Sequence, residues 1–273
     1  LNNHTVRVRT NLHLALQHIR REDKDKRIWI DQLSINQASK RERGHQVRIM
    51  GQIYANAAHV IVWLGPAYQD SDRAMEVLAN WESIPKPVSW DMKGDWRKQD
   101  MSAILALLRR RYWRRVWVQQ EIHLARDFTV HCGTFCAGKT GFVAAADFML
   151  DSQRKLPYGR KVPAIETLVR TKNSPFRWTK KKNSNLESWL RMGMRSSLQM
   201  TEPRDLIYAM LGISSDCQNG EIVPDYEKPL SKIIRMTLAH CRRSRKVDWR
   251  FEDGFPYNLE RELMNKNRSL RRR

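Results

Sequence analysis

The sequence predicts an α/β domain: an open parallel sheet flanked by helices, with helical additions toward the carboxyl-terminal end. Three observations predict it. Short apolar runs such as Val60-Ile61-Val62-Trp63-Leu64 alternate with stretches of helical spacing through residue 132, the pattern of strands buried on both faces between crossover helices. A length of 273 residues, 41% of them apolar, supplies ample material for a core. No apolar run approaches the length of a bilayer span, so an integral membrane protein is not expected.

The elements follow in order. Thr10 to Arg21 places Leu12, Leu16 and Ile19 on one helical stripe, with Thr10 or Asn11 as N-cap. Arg27 to Asp31 reads as a short buried strand that ends in a carboxylate. Ser39 to Ala58 returns to helical spacing, with Val47, Met50, Ile53, Tyr54 and Ala57 facing inward. His59 to Leu64 is an apolar strand closed by Gly65-Pro66. Asp70 or Ser71 then caps a helix through Trp81, and Ser83 to Lys98, with Pro85, Pro87 and Gly94, reads as an irregular loop. Helices over Asp100–Arg110 and Tyr112–Ala125 lead to a strand at Phe128–Cys132. Further on, Pro203 to Ile213 and Leu230 to His240 carry helical spacing.

Charge divides the chain into parts. The formal net charge is +21, but residues 1–150 hold 23 basic against 15 acidic side chains, whereas 151–195 hold 12 against 3 and 242–273 hold 11 against 5. The resulting partition is an α/β core over 1–150, a basic, loop-rich segment over 151–200, a helical part over 201–241 and a basic tail over 242–273. Such an excess attracts polyanions. Because it sits in a linker and a tail, and no nucleic-acid motif accompanies it, it reads as a solvated surface and nucleic acid is not expected as a partner. No secretory leader is seen and the four cysteines make no disulfide framework, so a reducing, cytoplasmic location is expected.

Five blocks then appear in order: Ile28-Trp29-Ile30-Asp31-Gln32-Leu33-Ser34-Ile35-Asn36-Gln37; Glu42-Arg43-Gly44-His45-Gln46-Val47 running on to Ile53-Tyr54; Tyr112-Trp113-Arg114-Arg115-Val116-Trp117-Val118-Gln119-Gln120-Glu121; Glu202-Pro203-Arg204-Asp205-Leu206-Ile207-Tyr208-Ala209-Met210-Leu211-Gly212; and Val223-Pro224-Asp225-Tyr226. Together they resemble the fungal heterokaryon-incompatibility (HET) domain, over about residues 5–240. Ser34 stands where that family usually has cysteine, and Glu202 where it usually has aspartate. The family's opening strand, with a Ser-Tyr-x-Trp-Gly signature, is not seen, so a sheet lacking its first strand is expected.

The resemblance implies an effector of self/non-self recognition that triggers fungal cell death as a form of innate immunity. It also implies a distant likeness to TIR domains, hence a TIR-like or flavodoxin-like sheet, and NAD as a substrate rather than a resident cofactor. In that group one glutamate follows a tryptophan motif on a helix, and Trp117-x-x-x-Glu121 is the counterpart here. The residues support this independently. Trp113, Trp117 and Glu121 at i, i+4 and i+8 would share a helical face. A carboxylate beside indoles has a raised pKa, and a placed carboxylate stabilises the oxocarbenium-like state of glycosidic cleavage. The competing account has Glu121 paired with Arg114 or Arg115 and Trp117 in the core.

Asp31, at the carboxyl end of its strand, is either ligand-facing or the cap of an Asx-turn. Asn36 and Gln37 are either pocket donors or turn-formers. Gln46 and Arg43, near the start of a helix, are within reach of phosphate or ribose oxygens, with solvation the alternative for Arg43. The rival function is a non-enzymatic module that self-associates or recruits another incompatibility protein. A third is a nucleotide triphosphatase, because Gly133 to Thr140 matches the G-x-x-x-x-G-K-T phosphate loop. Against it, no later strand supplies the Mg²⁺-binding aspartate. No metal site is expected: Cys132-x-x-x-Cys136 with His131 has no second cluster, and Cys217 and Cys241 lack partners at ligand spacing. Arg204-Asp205 reads as an ion-paired structural element.

Overall fold

Among the described residues only two strands lie among the helices as far as Cys132, fewer than the alternation expected, and the sheet they join is small and mixed. The computed structural model describes residues 5–20, 25–83, 95–154, 185–196, 198–244 and 254–271. The loop expected over Ser83–Lys98 and the basic middle segment therefore fall largely outside the described residues, as does part of the tail.

β1 (Val60–Trp63) runs parallel to β2 (Phe128–Cys132), and β2 turns back antiparallel onto β3 (Phe135–Gly138), giving the order β1-β2-β3. An all-parallel sheet is thus not what the described residues form. The hairpin arises at Gly133, whose φ of +56° suits glycine and whose N–H donates to the Gly65 carbonyl at 2.9 Å. This hairpin also disposes of the phosphate-loop match. Residues 135–138 are engaged in the ladder with β2, and the Lys139 ammonium donates to the carbonyls of Ala125 and Arg126 at 3.1 and 2.9 Å. Cys132 and Cys136 stand on opposite faces of the hairpin, one buried and one exposed, so they share no ligand.

The expected strand at 27–31 is a second correction. Residues 25–30 are unpaired, and Ile28 is exposed. Ile30 keeps an extended backbone, and Trp29 packs edge-on against Tyr54 at 5.9 Å instead of joining a ladder. Asp31 opens the one-turn α2 (Asp31–Ser34).

The helices fare better. α1 (Thr10–Ile19) starts after Arg9, which occupies the N-cap with extended backbone and no side-chain bond, so neither Thr10 nor Asn11 caps it. α3 (Lys40–Asn56) is capped by Ser39, which accepts from the Glu42 N–H at 3.2 Å. α4 (Ser71–Ala79) has Asp70 at its N-cap in left-handed backbone, without a side-chain bond. α5 (Asp95–Leu108) begins five residues earlier than its spacing implied. The single helix expected over Tyr112–Ala125 is broken. A 3₁₀ turn at Arg111–Arg114 gives way to extended backbone at Arg115, and α6 is only Val118–His123. α7 (Lys139–Arg154), α8 (Leu186–Arg195), α9 (Asp205–Leu211), α10 (Leu230–Ser244) and α11 (Phe255–Arg271) follow. α8 lies in the stretch read as loop-rich and α11 in the stretch read as tail. Both bury apolar stripes: Leu186, Trp189 and Leu190 on one, Phe255, Leu259 and Leu263 on the other.

Two hydrophobic cores result. One joins the sheet to α4, α5 and α7 around Trp113, Phe128 and Phe142. The other joins α8 to α11 with Val47 and Met50 of α3 and with Val116. Tyr54 packs against both. Arg110 ties down the carboxyl end of β1, donating to the carbonyls of Leu64, Pro66 and Tyr68 at 2.9–3.0 Å. Among the described residues no helix is long and apolar enough to cross a membrane.

Candidate functional site

The break between the 3₁₀ turn and α6 lies at the seam of these cores, and a clamp holds it there. The Val116 N–H donates to the Gln199 carbonyl at 3.1 Å, and the Gln199 N–H donates to the Arg114 carbonyl at 2.6 Å. With Arg115 extended, the 3₁₀ turn folds back over α6. Tyr112 then donates its O–H to Glu121 Oε2 at 2.6 Å. Trp113 does not share a face with Glu121. It is fully buried in the sheet-side core, stacked on Phe142 at 4.9 Å, and its indole N–H donates to the Leu107 carbonyl.

Glu121 is 9% exposed. Burial raises its pKa; the Arg115 guanidinium and the Tyr112 hydroxyl pull it back, and Asp31 adds to the rise. Burial and the Glu121 charge hold the Tyr112 and Tyr54 hydroxyls protonated far into alkaline pH. Arg115 is held more basic by Glu121 and reaches outward to Asp31 Oδ2 at 4.0 Å, both side chains being nearly half exposed. The arrangement grades from a solvated Asp31–Arg115 pair to a dry Glu121–Tyr112 pair. Asp31 also accepts from the Gln32 N–H through Oδ1 at 2.7 Å, so it shapes the turn as well as facing Arg115.

The other residues singled out in the sequence are placed as follows. Asn36 is exposed and forms an Asx-turn, its Oδ1 accepting from the Ala38 N–H at 3.1 Å, while its own N–H donates to Glu42. Gln37 is exposed beside it. Gln46 is half-buried on the α3 stripe that continues through Met50 to Tyr54. Arg43 lies not in solvent but over the Tyr226 ring, 3.8 Å from its centroid. Trp117 is half-buried and its indole bonds to Asp205.

That last contact opens a second cluster, which pattern reading misassigned. Asp205 accepts from the Tyr226 O–H at 2.7 Å as well as from Trp117. Burial pushes its pKa up to about 6, against the pull of those two donors. Arg204 pairs with Glu202 at 2.5 Å and donates to the Lys228 carbonyl, so Arg204 and Asp205 are not an ion pair. Tyr54, Tyr112 and Arg115 were not picked out from the sequence as site residues. Their signal was present, since all three fall inside the blocks that carry the family resemblance.

Comparison with known proteins gives a direct result. Residues 1–121 match the family model "Heterokaryon incompatibility protein (HET)", a span that contains Asp31, Asn36, Gln37, Gln46, Trp117 and Glu121. The chain is 28% identical to heterokaryon incompatibility protein 6, OR allele, of Neurospora crassa, over 78% of this chain and 38% of that protein. It therefore spans less than half the length of that relative. No solved structure matches.

Proposed function

We propose, with residues 1–121 matched to the heterokaryon incompatibility family, that this chain acts as a cytoplasmic effector of fungal incompatibility and innate immunity that triggers cell death. It does so by hydrolysing NAD at the nicotinamide–ribose bond, with Glu121 as the catalytic carboxylate. The observation that carries the chemistry is the Tyr112–Glu121–Arg115 group, graded outward to Asp31. In the proposed reaction the C–N bond breaks with its electron pair passing to the pyridinium nitrogen, and nicotinamide leaves neutral. Water adds to the ribosyl carbon and its proton is lost. A single carboxylate suffices for the stabilising role, because the leaving group is already activated by its charge. Arg115 is the side chain suited to the pyrophosphate, and Asp31, Asn36, Gln37, Gln46 and Trp117 are the proposed substrate contacts. Self-association, or contact with a second incompatibility protein, would bring such an effector into action.

One observation favours a second reading. Glu121 is buried and already bonded to Tyr112, which suits a structural carboxylate in a non-enzymatic recruitment module. Purified protein, free and artificially oligomerised, incubated with NAD separates the two. The catalytic reading expects nicotinamide release that is lost in Glu121→Gln while the melting temperature stays near that of the parent. Absence of turnover in both states, or turnover that survives Glu121→Gln, leaves the recruitment module.

A further inference from the structure

Away from that site, the connection between α9 and α10 brings three metal-ligating side chains together. Asp216, Cys217 and His240 place a carboxylate oxygen, a thiol sulfur and a ring nitrogen within 4.8 Å of one another. His240 Nε2 stands 3.2 Å from Asp216 Oδ2 and 3.4 Å from Cys217 Sγ. In tetrahedral zinc sites, metal–ligand bonds of about 2.0–2.3 Å set neighbouring donor atoms roughly 3.3–3.7 Å apart, and the two distances from His240 Nε2 are close to that edge.

The local structure builds this convergence. Asp216 Oδ1 accepts from the Leu186 N–H at the start of α8 at 2.8 Å, which aims the other oxygen, Oδ2, toward the histidine. Oδ2 is fully enclosed yet makes no well-formed hydrogen bond among the described residues. Ser244 Oγ also lies 3.2 Å from His240 Nε2. One ring nitrogen cannot bond to three such neighbours at once, whereas a cation at their centre satisfies them together. Cys217 and His240 are 23 positions apart, which is why ligand spacing in the sequence did not connect them.

We infer that Asp216, Cys217 and His240 bind one Zn²⁺ ion, which pins the α9–α10 connection to α10 and, through Leu186, to α8. The mixed sulfur, nitrogen and oxygen donor set suits zinc over magnesium or calcium, with water in the fourth position. This site does not depend on the NAD reading.

The test uses the whole chain, stripped with a chelator and titrated with Co²⁺ as the probe. One equivalent per chain should give a thiolate-to-cobalt charge-transfer band, which Zn²⁺ then bleaches. The band should be lost in Cys217→Ser and kept in Cys136→Ser, and Zn²⁺ should raise the melting temperature of the parent but not of Cys217→Ser. Folded parent protein without the band overturns the site, as does a band that survives Cys217→Ser. If Cys217→Ser does not fold, Asp216→Asn carries the test, since its oxygen can still accept from Leu186. It must weaken Zn²⁺ binding by more than about tenfold, the floor for loss of even an outer-shell partner, and unchanged affinity overturns the site.

Discussion

Replacing Asp205 with asparagine should remove a loss of stability that the parent protein suffers as pH rises through about 6. The half-buried Asp205 carboxyl sits between Trp117 and Tyr226, and desolvation outweighs these two donors, lifting its pKa from 3.8 to about 6. A folded-state pKa above the unfolded one means that the native state holds the proton more tightly. The associated stability is fully present below the unfolded pKa and is lost as pH rises through the folded one. At about 1.4 kcal/mol per pH unit, the interval from 3.8 to about 6 corresponds to roughly 3 kcal/mol. Asparagine cannot ionise, so its only effect is a constant offset from altered hydrogen bonding. Urea unfolding of both proteins from about pH 4 to about pH 8 gives the assay. The stability of the parent relative to Asp205→Asn should fall by roughly 2.5 kcal/mol across that range, because at about pH 4 the unfolded carboxyl is already partly ionised. Groups common to both proteins cancel in the difference. Tyr226→Phe removes one of the donors that favour the carboxylate, and should move the midpoint of the fall to higher pH. Parallel curves, or a parent that gains on the variant as pH rises, would refute the assignment.

Three further outcomes follow from the packing. Gly141→Ala places a Cβ 2.2 Å from the Leu78 carbonyl oxygen, so α7 and α4 must separate; a loss of about 3 kcal/mol is expected in chemical unfolding, and a variant as stable as the parent contradicts the close approach. Trp113→Ala empties the fully buried stack on Phe142 and should cost about 3–5 kcal/mol, read as a lowered melting temperature. Lys139→Met leaves the Ala125 and Arg126 carbonyls without their ammonium donor and should cost about 1–3 kcal/mol. Calorimetry on the parent should show no ATP binding for that variant to lose.

Much of the helical framework was legible because its signals are local. Val47 and Met50 on the buried stripe of α3 place that helix to within one residue at its start and two at its end. β1 was equally clear as an apolar run, and β2 as a short alternation of apolar and polar residues. The failures occurred where local pattern and long-range pairing part company. Ile28-Trp29-Ile30 has the composition of a strand, but a strand also needs a ladder partner, and Trp29 finds Tyr54 of α3 instead. Trp113, Trp117 and Glu121 have the spacing of one helix, yet the clamp between Arg114 and Gln199 bends the chain between them. The partner that sets this bend lies more than 80 positions away, and no window of helical length contains it. β3 was hidden by a motif match, since Phe135-Cys136-Ala137-Gly138 is too short for alternation to show. α8 and α11 were masked by their charge: both carry basic side chains on exposed faces while burying apolar stripes.

The bend at Arg115 has a consequence for either account of Glu121. Val118 and Ile122 of α6 belong to the sheet-side core, whereas Val116, two residues before α6, belongs to the helical core, and Tyr54 touches both. The carboxylate is therefore held where two separately packed bodies meet, with Tyr112 on its inner side and the solvated Arg115–Asp31 pair outward of it. Close-packed cores resist internal rearrangement, so a shift between the two cores, were a partner to drive one, is the movement that would open a way to Glu121 past the half-exposed Arg115. Such a shift changes the contact of Trp117 with Asp205, because that indole bridges α6 to α9. A partner or second copy that binds the helical body and moves it against the sheet body would act on Glu121 without touching it. A catalytic effector could use that coupling to switch its chemistry on, and a recruitment module could use it to expose a surface. In both cases Asp205→Ala, which removes the acceptor of the Trp117 N–H and leaves every proposed substrate contact in place, is the change that tests the coupling apart from the chemistry.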